Sequence, residues 1–65
     1  MTARAIPTVA MVADAAARAL ANGHDLKTWT PHRIAHDLMR YDADFEGCDY
    51  TLLVSAAQLW KRGRA

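Results

Sequence analysis

More than one residue in five of this chain is alanine, fourteen of 65, and nine of the fourteen fall between Ala3 and Ala21. Alanine is the strongest helix former and loses no side-chain entropy on folding, yet it buries little area. A chain built this way is driven towards helix and is poor in core material. Of its 52% hydrophobic residues, few are bulky. Ile34, Leu38, Phe45, Leu52, Leu53, Leu59, Trp29 and Trp60 are the obvious core candidates. Sixty-five residues make one small domain, near the size at which a core holds without disulfide or metal. Self-association is a natural way to enlarge so thin a core.

Punctuation divides the chain into three helices, with no strand pattern, repeat or low-complexity linker. The expectation is an all-α, compact three-helix domain spanning 1–65, with helices over about 8–22, 31–43 and 49–62. Residues 1–6 are expected to be a flexible N-terminus and 63–65 a flexible basic tail. The first helix is expected to begin at Pro7 or Thr8, with Thr8 able to cap it, and Asn22-Gly23 is its stop. Its expected inward face is Ile6, Val9, Ala13, Ala16, Ala17 and Leu20, opposite Met11, Asp14, Arg18 and Asn22. The alanines would also allow close approach of a second copy, as in a homodimer. In "WTPHRIAHDL", Thr30 is the cap, Pro31 the first helical residue and Trp29 a staple onto Ile34. The second buried stripe is Ile34, Ala35, Leu38 and Tyr41, and Phe45 anchors the following loop inward. The third helix starts from Asp49 and carries a broad apolar face of Leu52, Leu53, Ala56, Ala57, Leu59 and Trp60.

The net charge of +1 conceals an uneven distribution: Asp42, Asp44, Glu46 and Asp49 lie within eight residues, and Lys61, Arg62 and Arg64 crowd the end. The acidic segment "DADFEG" matches the opening of an EF-hand loop at its first, third, fifth and sixth positions. The twelfth position is Leu53 where a bidentate glutamate is needed, so a solvated acidic loop is favoured over a calcium site. His32 and His36 are four apart, and with His24 and Cys48 they make a transition-metal set on paper. No paired cysteine motif supports it, so no metal and no cofactor is expected. Cys48 has no motif around it that would make it a nucleophile, and a domain this small leaves little room for a catalytic pocket; no enzyme activity is expected. The single cysteine and the absence of a secretory signal or membrane-length apolar segment suit a soluble cytoplasmic protein. Brevity, the initial methionine and high alanine suit a free-standing bacterial or phage accessory protein.

Two functional readings remain. In the first, the chain is a small protein-interaction module, an adaptor, inhibitor or accessory regulator, binding through Tyr41, Asp42, Asp44, Glu46, Tyr50 and Trp60. The large aromatics are many for so thin a core and such residues dominate binding hot spots, and the acids would steer a basic partner or the basic tail of a second copy. In the second, "TPHRIAHDL" resembles the first helix of a helix-turn-helix and the third helix reads DNA. Thr51, Ser55, Gln58 and Arg62 would then face bases or phosphates, and Lys61 and Arg64 would hold the backbone. The connection from about Asp42 to Cys48 is long for such a turn and is acidic where DNA would repel it, so protein binding is preferred.

Overall fold

The computed structural model describes residues 6–63 and consists, over that span, of three helices with no strand. Helix α1 runs Val9–Ala21, α2 Pro31–Tyr41 and α3 Tyr50–Lys61, with short 3-10 turns at Leu26–Thr28 and Ala43–Phe45. The expected three-helix architecture is present. The flexible ends expected at 1–6 and 63–65 lie outside the described residues, apart from Ile6 and Gly63.

Each helix starts on a side-chain cap. Thr8 Oγ1 accepts from Met11 N–H, Thr30 Oγ1 from Arg33 N–H and Asp49 Oδ1 from Leu52 N–H, so each relieves an amide that has no partner in the first turn. Pro31 sits in the first turn of α2, where its missing N–H costs nothing. At the far end of α1, Asn22 N–H and Gly23 N–H fold back on the Ala19 and Leu20 carbonyls, and Gly23 takes φ +92°. A Cβ on Gly23 would meet nothing within 4 Å, so backbone conformation rather than space calls for glycine there.

Helix α2 stops at Tyr41, at the near edge of the 41–43 range expected for its end. Asp42 still donates its N–H to Leu38, but its backbone has turned extended (ψ 115°) and its carboxylate accepts from Asp44 N–H. The aspartate therefore ends one helix and starts the 3-10 turn that follows. That turn delivers Phe45 into the core, where it is fully buried as expected.

Helix α3 packs against both other helices, whereas α1 and α2 scarcely touch one another. The core is Val12, Ala15 and Ala16 from α1, Leu26, then Ile34, Ala35 and Leu38 from α2, Phe45, Cys48, and Leu53, Val54, Ala56 and Ala57 from α3. Five of these thirteen are alanines, so Phe45, Ile34, Leu53 and Val12 supply most of its bulk. Trp29 and Trp60 lie half-buried at its edge.

Three face assignments need correction. α1 turns Val12, Ala15 and Ala19 inward, and Ile6, Val9, Ala17 and Leu20 are exposed. The two faces differ by about a quarter turn and share Ala16. A helix carrying only Asp14 and Arg18 as charges has no polar side wide enough to choose between them. In α2, Tyr41 is exposed because the chain leaves the helix beneath it. In α3, Leu52 and Leu59 are about half exposed, and Val54, absent from the expected face, is buried instead.

Candidate functional site

Because α1 and α2 both lean on α3 and not on each other, a groove of about 630 Å³ opens between them. Its floor is Ala15, Ala19 and Leu38; Trp29 closes one end, and Tyr41, Asp42 and Ala43 stand at the other. This volume falls within the range usual for small binding clefts. The alanines account for it: a larger residue at 15 or 19 would fill the space between the helices.

Charged groups frame the opening. The Arg18 guanidinium donates to Asp42 Oδ2 at 2.9 Å and lies 3.7 Å from Asp44 Oδ2, bridging α1 to the 3-10 turn after α2. Arg33 stacks on Trp29 with its guanidinium carbon 4.0 Å from the ring centroid, which fixes the indole as a wall. The Trp29 carbonyl in turn accepts from Lys61 Nζ at 2.6 Å, tying the start of α2 to the end of α3. Asp37 and His24 complete the rim, and His24 lies 6.3 Å from Trp29, ring to ring. The rim thus carries both signs of charge over an apolar floor.

The six residues expected to bind protein do not form one surface. Tyr41 and Asp42 line the groove, and Asp44 is joined to it through Arg18. Glu46 is exposed on the loop beyond. Tyr50 stands over His32 with ring centroids 6.2 Å apart and its hydroxyl 3.5 Å from the His32 carbonyl, on the α2–α3 side. Trp60 lies on the α1–α3 side beneath Lys27, whose Nζ is 5.6 Å from the ring centroid. Sequence reasoning had no means of finding Arg18, Arg33, Asp37 and the Ala15–Ala19–Leu38 floor as parts of one site, because they meet only through the separation of α1 and α2.

Of the residues expected to meet DNA, Thr51, Ser55, Gln58 and Arg62 are exposed at helical spacing along α3. Lys61 is instead turned to the Trp29 carbonyl, and Arg64 lies outside the described residues. At the acidic loop, Asp42 is engaged by Arg18 and Asp44 N–H, and Leu53, at the twelfth loop position, is fully buried. Among the described residues no three His, Cys, Asp or Glu side chains stand together as metal ligands. Cys48 is buried in the core, and desolvation pushes its thiol pKa up. No helix among the described residues is long and apolar enough to cross a membrane.

Comparison with protein-family models, with curated proteins and with solved structures finds no match to this chain.

Proposed function

We propose that this chain is a non-enzymatic protein-interaction module, an adaptor, inhibitor or accessory regulator, that takes a segment of its partner into the α1–α2 groove. The observation that carries the reading is the groove itself: an apolar floor between two helices, a tryptophan wall held by Arg33, and Tyr41 three-quarters exposed at its mouth. A large aromatic left that bare beside a concave apolar surface gains more from a partner than from solvent. The partner segment carries an apolar or aromatic anchor for the Ala15–Ala19–Leu38 floor and a basic residue beside it. That basic residue meets the acidic turn, where Asp44 and Glu46 remain exposed. Arg18, already bonded to Asp42, holds the turn against α1.

The test is site-specific photocrosslinking in the native cell extract. A photoreactive phenylalanine analogue in place of Tyr41 is expected to give one discrete adduct, identified by mass. The same analogue at Thr51, on the opposite polar face of α3, should not. The adduct should weaken with Asp44→Ser and Glu46→Ser together, at unchanged helicity. Equal labelling from both positions, or none from Tyr41, would remove the reading. Retarded migration of duplex DNA at low salt, lost with rising salt and with Arg62→Ala, would move the function to the outer face of α3 instead.

A further inference from the structure

A second surface lies on the other side of α1. The stripe Ile6, Val9, Ala13, Ala17 and Leu20 is at least partly exposed along its whole length, and α3, packed against α1, carries Leu52 and Leu59 exposed and Trp60 half-buried over the core residue Ala56. Ala13, Ala16, Ala17 and Leu20 of α1 line a common hollow with Trp60 of α3, which joins the two stripes towards the ends of both helices. Of the seven large hydrophobic side chains left exposed among the described residues, five belong to these two stripes: Ile6 at 72%, Val9 at 38%, Leu20 at 61%, Leu52 at 47% and Leu59 at 51%.

We infer that this face is covered by a second copy of the same chain in a two-fold dimer, independently of the α1–α2 groove. Three observations select a second copy over another partner. The first is charge. Among the described residues no ionisable side chain interrupts the two stripes, and Asp25 and Lys27, which line the hollow, are of opposite sign. The face can therefore meet its own image without confronting like charges, which an isologous contact must avoid.

The second is shape. An isologous interface has to be knob and hole at once. Here a hollow of about 230 Å³, with Ala13, Ala16 and Ala17 on its α1 side, lies beside protruding leucines. An enclosed apolar cavity of about 150 Å³ already accepts a benzene, so the hollow has room for a leucine side chain of the partner copy. The third is area. Five large side chains exposed to this degree amount to a patch on the order of 500 Å², the upper end of what a monomer ordinarily leaves bare. Two such patches face to face bury about 1,000 Å², the smallest area at which a specific interface holds. An interface at this lower limit makes a reversible dimer. It would enlarge a core that is more than one-third alanine by residue count, and would leave two α1–α2 grooves open for partners.

Sedimentation equilibrium on the full chain, from low micromolar to near-millimolar concentration, tests this. Apparent mass should rise from the 7.2 kDa of one chain towards twice that value and no further. Leu20→Glu and Leu59→Glu, both at exposed helical positions where glutamate keeps helix propensity, should each hold the protein at one-chain mass with an unchanged helical spectrum. Thr51→Glu, on the polar side of α3, should leave dimerisation intact. A wild-type chain that stays monomeric throughout would overturn the inference and assign the face to a different protein. A dimer indifferent to both leucine substitutions would overturn it too, by moving the contact elsewhere.

Discussion

Phe45 illustrates how much a single side chain carries in so small a core. It reaches the interior because Asp42 and Asp44 bend the chain into a 3-10 turn, and it is the largest fully buried residue. Phe→Ala at such a site costs about 3–5 kcal/mol, against a total of about 3–10 kcal/mol for a domain of this length. Phe45→Ala should therefore lose most of its helical circular dichroism at room temperature, whereas Phe45→Leu should stay folded with a lower urea midpoint. Cys48 makes a second residue-level prediction. Burial raises its thiol pKa above that of the unfolded chain, where it ionises at about 8.5. The folded state then binds more protons than the unfolded state above that pH, so stability is full below it and falls as pH rises through it. Urea midpoints should decline from pH 7 to pH 10 more steeply for the native chain than for Cys48→Ala. Parallel declines would mean that the thiol is not protected.

At the scale of elements, the starts of the helices were legible and their faces only partly so. Thr8, Thr30–Pro31 and Asp49 are local signals whose hydrogen bonds are made within three residues, and all three caps stand where the sequence puts them. Phe45 was legible for the same local reason: it continues the spacing of the α2 stripe. The inward face of α1 was not. Ala and Val surround that helix, so the choice between Val12–Ala15–Ala19 and Val9–Ala13–Leu20 is made by how α3 lies across it, a contact far away in sequence. Asp42 couples elements in another way. Asp42→Asn keeps an oxygen for Asp44 N–H and loses only a half-exposed ion pair, so it should cost no more than about 0.5 kcal/mol. Asp42→Ala loses the cap as well and should cost about 1 kcal/mol, read by chemical denaturation. Equal costs for the two would assign the whole effect to Arg18.

At the scale of the whole molecule, the arrangement follows from one imbalance: three well-capped helices share too few large side chains to close around one another. α3 takes the centre, α1 and α2 lean on it, and two surfaces remain, the groove between α1 and α2 and the apolar face of α1 and α3. Neither was visible as a surface in the sequence, although Tyr41, Asp42 and Trp60, which border them, were singled out there. The proposed division of labour, partner in the groove and second copy on the apolar face, makes the two separable by mutation. Tyr41→Ala should abolish partner capture and leave the dimer intact, and Leu59→Glu should do the reverse. The most direct measurement is a map of amide shifts in nitrogen-15-labelled protein as the crosslinked partner, once purified, is titrated in. Changes should concentrate at Arg18, Ala19, Trp29, Arg33, Tyr41 and Asp42, with Ser55 and Gln58 unmoved; changes centred on α3 with a silent groove would contradict partner binding between α1 and α2.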